Sequence, residues 1–479
     1  MDGSKTEMNE LFVEYYRCPE EFASFASSEI SSDRTGYFRF GGDITCYGRY
    51  SRAASKPAPL HRLADALAET TVRNGTVDLP FNPREVACNL QNELYVQNWR
   101  SGPFSVLSDL YYFVRPVLSV TIRKQLQKFH LRKWTRILFP QWPIDCSVDN
   151  LHEQLLLLSL KASQAERIPF IWFWPEGASA CAVMTHDVET REGSDFCPAL
   201  IDIDDSFGIK ASFQIIPEDR YLVRSDLLQL IRSRGFEIAV HDLNHDGHLF
   251  KNREQFLARA QQINSYGREY GSEGFRAAVL YRKQVWFDAL KFSYDMSVPN
   301  VAHLDPQRGG CCTVMPYFIG DLVEIPVTAV QDYTLFNILN DYTIDIWKQQ
   351  TDIILQKHGC MNFIVHPDYV TQPREQTVYK QLLSHLCHLR AERNVWITTP
   401  GAVNRWWRQR AAMKLIRSGQ GWKLEGSGSE RARIAYATQK DGRLIVSFED
   451  SSESIHFETD TETVDAASLN PAAAIHGGD

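Results

Sequence analysis

Cys181-Ala182-Val183-Met184-Thr185 runs directly into His186-Asp187-Val188-Glu189, so an apolar stretch of strand length ends in ionisable side chains. A short run with no polar alternation reads as a strand buried on both faces, the kind found in parallel sheets. The texture repeats at residues 211–216, 236–240, 274–278, 322–327, 361–365 and 395–398. Helix-sized stretches lie between these runs, at 225–234, 253–269, 343–357 and 378–393. Alternation of this kind predicts βα units, and seven or eight in about 230 residues suit a distorted (β/α)7-8 barrel. The fold class expected is α/β.

Upstream of the runs the pattern differs. Residues 38–40 and the Gly41-Gly42 pair suggest a short strand and turn, and Asn74-Gly75-Thr76, which fits a glycosylation sequon, is read as a turn. Residues 106–112, 117–136 and 148–162 carry apolar positions at helical spacing, with Pro140, Pro143 and Pro169 as punctuation. Downstream, the Trp406-Trp407 segment reads as a helix. Residues 432–438 and 443–448 alternate around Lys440-Asp441-Gly442, the signature of a hairpin. The expected organisation is a mainly helical region at 1–170, the barrel at 171–415, a small β appendage at 416–460 and a flexible tail at 461–479.

Composition narrows the function classes. The 479 residues are 44% hydrophobic and 23% charged, as in a folded globular protein. A formal charge of −8 argues against nucleic-acid binding, which depends on clustered cations. The basic stretch at 123–136 interleaves Leu126, Phe129, Leu131 and Trp134 with its charges, and is read as an amphipathic helix with a solvated face. The polar start has no apolar segment for export, and no run is long enough to span a membrane, so a cytoplasmic protein without a transmembrane segment is expected. Ten cysteines without a CxxC pair are then thiols.

In a β/α barrel the reactive groups sit at the C-terminal ends of the strands. Asp187 and Glu189 close the first run; His241 and His245 follow the third; Arg276 lies in the fourth; His366 ends the sixth; the fifth offers nothing evident. Two histidines four apart can turn both imidazoles on one cation, and a carboxylate such as Glu189 would complete three ligands, leaving room for water. Asp187 can serve as the base beside it, or cap the following helix. Arg276 can hold Asp187 ionised, and His366 can protonate a leaving amine. His248 is read as a surface residue, and Tyr281 and Trp286 as sugar-stacking or core aromatics.

These residues, in order, resemble the motifs of the polysaccharide deacetylases, the family-four carbohydrate esterases, within residues 175 to about 400. Thr185-His186-Asp187-Val188-Glu189 resembles the first motif, whose first acid is the base and whose second binds metal. His241-x-x-x-His245 matches the metal-binding motif, and Gly274-Phe275-Arg276 resembles the third, whose Arg holds the base. Phe292-Ser293-Tyr294-Asp295 is similar to the fourth, and Phe363-Ile364-Val365-His366 to the fifth, whose His is the acid. Asp295 is read as orienting His366 or Arg276. Glu189 stands where Asp is commoner, Ala278 where many members have Pro, and no Trp follows Asp295 at the usual distance. The resemblance implies a metal-dependent hydrolase that removes an N-acyl group, acetyl above all, from an amino sugar or saccharide through a metal-activated water. The expected cofactor is a divalent metal, zinc by preference, on Glu189, His241 and His245, and the expected partner is the acylated saccharide substrate. An amide hydrolase of non-sugar substrates and a non-catalytic carbohydrate-binding protein are the alternatives.

Overall fold

The computed structural model describes residues 2–27, 34–99, 131, 134–419, 421–448 and 454–456. Helix α1 (Asp2–Tyr16) is followed by β1 (Phe25–Ser27), β2 (Thr35–Arg39), β3 (Thr45–Arg49), β4 (Thr71–Arg73), β5 (Thr76–Leu79), α2 (Pro83–Gln91), α3 (Ser147–Ser163) and β6 (Ile168–Ile171). The helix expected at 148–162 is α3. Those expected at 106–112 and over most of 117–136 lie outside the described residues. The N-terminal region also holds two small sheets, the β2–β3 hairpin and β1-β5-β4. Strands of three to five residues are too short to show a period, so only residues 38–40 betrayed one of them. Asn74 and Gly75, both at positive φ, form the two-residue turn between β4 and β5.

The barrel strands are β7 (Ala180–Val188), β8 (Ala211–Ile215), β9 (Glu237–His241), β10 (Gly274–Arg276), β11 (Tyr294–Asp295), β12 (Tyr317–Ile319), β13 (Leu322–Glu324), β14 (Cys360–Ile364) and β15 (Val395–Thr398). Around them are α4 (Arg191–Ser206), α5 (Ser225–Ser233), α6 (Arg253–Glu269), α7 (Asp345–Gln356), α8 (Pro373–Arg393) and α9 (Pro400–Ala412). The order is β12-β13-β11-β10-β9-β8-β7-β14, with β15 on the first half of β7; only β12 against β13 is antiparallel. This is the distorted (β/α) barrel. The sheet stops short of closure between β13 and β14, where Ala329 N–H donates to the Asn362 carbonyl at 3.1 Å and the Asn362 amide reaches the Ile325 carbonyl. β11 and β12 went unread because two and three residues carry too little pattern.

All nine residues of β7 are buried, which is why its first five, Ala180 to Met184, are apolar on both faces. Side chains alternate across it: Ala180, Ala182, Met184 and Val188 join the core under the helices, while Cys181 and Val183 join a second core shared with the N-terminal region. The C-terminal strands are β16 (Lys414–Ser418), β17 (Gly421–Glu425), β18 (Ile434–Lys440), β19 (Arg443–Phe448) and β20 (Ser454–His456). β18 and β19 are the expected hairpin, but β18 also pairs with β6, so this sheet joins chain segments some 260 residues apart. Residues 461–479, read as a tail, lie outside the described residues. Among the described residues no helix is long and apolar enough to cross a membrane.

Candidate active site

Four strand ends deliver the ionisable residues to one place. Glu189, one residue past β7, puts Oε1 2.8 Å from His245 Nε2 and 3.5 Å from Nε2 of both His241 and His366. His241 ends β9, and the chain then bends so that His245 returns to the same point. Asp242 and His245 both take positive φ to make that bend, a strained backbone of the sort that reactive loops retain. The ligand atoms of Glu189, His241 and His245 lie within 4.8 Å of one another, and Asp187, Glu189 and His366 form a second such triplet.

The donor set fits a metal ion. His241 Nδ1 donates to the Arg276 carbonyl at 3.1 Å, which leaves the lone pair on Nε2. Nε2 of His241 and of His245 are buried and, among the described residues, have no hydrogen-bond partner, the short approach to Glu189 being poorly angled for one. Two buried orphan nitrogens aimed at a carboxylate oxygen are costly unless an ion satisfies them.

Asp187 stands beside this group, its Oδ2 3.7 Å from His241 Nε2. Arg276, fully buried, donates through Nη1 to Asp187 Oδ1 at 2.6 Å and to Thr185 Oγ1 at 2.7 Å, and through Nε to the Met296 carbonyl. Burial alone would raise the Asp187 carboxyl; the charges of Arg276 foremost, then His241 and His366, together outweigh it and hold the group below the usual carboxylate range. Burial likewise works against Glu189, yet the surrounding imidazoles, His245 foremost, keep it well below. The cap of α4 is Thr190, whose hydroxyl accepts from Gly193 N–H, so Asp187 is free of that task.

His366 follows β14. Its backbone N–H donates to Asp332 Oδ2 and its Nδ1 to Asp332 Oδ1, both at 2.7 Å, which turns Nε2 towards Glu189. Burial would lower this imidazole, but Asp332, followed by Glu189, holds it well above the usual range; His241 is likewise raised against burial, first by Asp187. Asp332 was not read from sequence. It lies eight residues beyond β13, at the start of the short helical segment that runs into Thr334–Leu339, with no strand end to flag it.

Asp295 does not reach His366. Its carboxylate accepts the Ser297 N–H at 2.7 Å and the Ser297 hydroxyl at 2.8 Å, and that hydroxyl accepts the N–H of Ala277, next to Arg276. Its place is therefore on the Arg276 side of the barrel, directly opposite Glu324 in register. The orientation of His366 expected of Asp295 falls to Asp332, because β11 ends on the far side of β10 from β14. His248 is half-exposed beside Asp246. Tyr369, partly exposed, stands with its ring 5.0 Å from that of His366, and Tyr333 lies 5.6 Å further on. Trp286 packs on Phe256 with Lys283 over its face.

No protein-family model and no curated protein sequence matches this chain. Many of the solved structures that superpose on about half of it are polysaccharide or peptidoglycan deacetylases. A Mycobacterium smegmatis protein assigned as a polysaccharide deacetylase is 17% identical, over 52% of this chain and 98% of its own, with a TM-score of 0.42. The allantoinase PuuE is 12% identical over 49% and 92%, with a TM-score of 0.39. The peptidoglycan deacetylase PdaC of Bacillus subtilis is 11% identical over 50% and 96%, with a TM-score of 0.30.

Proposed function

We propose that this protein is a metal-dependent hydrolase that removes an N-acyl group, acetyl above all, from an amino sugar or saccharide. The observation that carries the reading is the pair of orphaned buried Nε2 atoms of His241 and His245 facing the Glu189 carboxylate, with Asp187–Arg276 on one side and His366–Asp332 on the other. Glu189, His241 and His245 would hold a divalent cation, zinc by the two-nitrogen, one-oxygen donor set, and such an ion supplies Lewis acidity to a coordinated water and to an acyl oxygen. Asp187, kept ionised by Arg276, takes the proton of the attacking water. His366, held through Nδ1 by Asp332, carries a proton on Nε2 for the departing nitrogen. This assignment separates base from acid by their partners, a cation for one and an anion for the other. The tyrosine faces beside His366 support a saccharide, whose rings stack on aromatic surfaces. A cytoplasmic setting belongs to the same proposal, since a reducing compartment suits the ten free cysteines.

The test is release of acetate by the zinc-loaded protein from a panel of N-acetylated mono- and oligosaccharides, set against cyclic and linear non-sugar amides. Turnover confined to the saccharides is expected, with Asp187→Asn retaining zinc while losing turnover. Turnover confined to the non-sugar amides would overturn the substrate class. Absence of bound metal in the wild type would overturn the mechanism.

A further inference from the structure

Strands β7 and β14 run side by side from Cys181 opposite Cys360 to Thr185 opposite Ile364. There they part. β7 continues along β8 to Val188, while the chain after β14 enters the short turn Pro367–Tyr369. Asp187 and His366 stand just beyond this fork, so their spacing depends on whatever ties the diverging segments together. The last backbone bond across it runs from Val365 N–H to the Thr185 carbonyl at 3.0 Å. The next tie is a side chain: His186 Nδ1 donates to the Val365 carbonyl at 3.1 Å. The residue before Asp187 thus grips the residue before His366.

His186 points away from the site, towards the helices, as the period of two requires of the neighbour of an inward Asp187. Its Nε2 lies 2.9 Å from Asp204 Oδ2 of α4, and the Tyr379 hydroxyl of α8 donates to Asp204 Oδ1. His186 and Asp204 are wholly buried and Tyr379 is 1% exposed. The ring packs 5.0 Å from Phe213, a place a phenylalanine would fill without burying any polar group. Packing does not call for a histidine here, and a buried polar network adds little net stability over an apolar core of the same shape. What the network does provide is direction: two helices fix Asp204, Asp204 fixes the ring, and the ring fixes the Val365 carbonyl.

We infer that His186 is a positioning residue, held by Asp204 and Tyr379, that sets the separation of Asp187 from His366 across the fork between β7 and β14. The inference rests on the proposed hydrolase reading for its effect on turnover, but the geometry it asserts is measurable without turnover. Asparagine places an amide nitrogen near the position of Nδ1, and glutamine places one near Nε2, so the two ties separate. His186→Asn keeps the Val365 tie and loses Asp204; His186→Gln does the reverse; His186→Phe loses both.

The three variants are compared for kcat, KM, melting temperature and amide hydrogen exchange over residues 360–370. In Gln and Phe, kcat should fall about tenfold or more with KM within about twofold, since slight misplacement of reacting groups acts on that scale. Asn should recover kcat to within about threefold of wild type, although its melting temperature is no higher than that of Gln. Exchange should quicken in Gln and Phe and stay near wild type in Asn. Equal losses in Asn and Gln, activity that simply follows melting temperature, or unchanged exchange in all three would overturn the positioning role. If the wild type hydrolyses none of the panel, the hydrolase reading fails by itself, and the exchange pattern alone decides whether His186 holds the fork.

Discussion

Arg276→Met should destabilise the protein more than the double replacement Arg276→Met with Asp187→Asn. The single change leaves Asp187, 3% exposed, as a charge without its cation; stranding a buried ion in this way typically costs about 3–5 kcal/mol. The double replacement removes that charge. What remains is the loss of the bonds from the guanidinium to Thr185 Oγ1 and the Met296 carbonyl, about 1 kcal/mol each. Part of the cost stays, because Asp295 and Glu324 also lie within the field of Arg276. The double variant should therefore recover about 1–3 kcal/mol relative to Arg276→Met. Urea unfolding at pH 7, followed by tryptophan fluorescence with a chelator present so that metal affinity does not enter, measures the difference. A double variant less stable than Arg276→Met would show that the two side chains contribute independently, and the argument that Arg276 exists to hold Asp187 would fall.

Chelation should lower the melting temperature and zinc should restore it, by about 2.7 kcal/mol of stabilisation at 100-fold excess over the dissociation constant, and Glu189→Gln should abolish the response; a scan of both proteins with and without zinc decides it. Asp149 of α3 accepts from the Thr313 hydroxyl and the Val314 N–H, and burial, outweighing those bonds, pushes its carboxyl up from 3.8 to about 7. A group raised on folding contributes stability that is fully present below its unfolded value and is lost as pH rises through its folded one. The advantage of wild type over Asp149→Asn should shrink by roughly 4 kcal/mol, about three units at 1.36 kcal/mol each, between pH 4 and 7, and parallel stability profiles would exclude it. Glu93, just past α2, forms a buried two-pronged pair with Arg282 of the loop after β10 and accepts the Gly310 N–H, joining the N-terminal region to the barrel. Glu93→Gln should cost about 3 kcal/mol and hasten proteolysis between the two regions; an unchanged unfolding midpoint would refute the clamp.

The barrel was legible wherever a strand buried on both faces and at least four residues long left a largely apolar run, as at Cys181–Thr185 or residues 361–365. It was illegible at β11 and β12, and where β18 crosses the chain to pair with β6, because strands of two and three residues show no period and a long-range partner leaves no local mark. The site divides in the same way. Asp187, Glu189, His241, Arg276 and His366 sit in or at the ends of apolar runs, so the chain order alone placed them at the reactive face. Asp332 and the His186–Asp204–Tyr379 network did not stand out, since what they do depends on partners 34, 18 and 175 residues away that only folding brings within hydrogen-bond reach.

What the amino-acid order determined by itself was periodicity and composition: which segments could be strands, which ends carried charge, and which chemistry those side chains could support. Tertiary structure alone decided the pairings, giving His366 to Asp332, Asp295 to Ser297 and the N-terminal region to a core shared with the barrel. Alternation is a local property of the backbone, whereas a hydrogen bond between distant residues depends on where the whole sheet has curled.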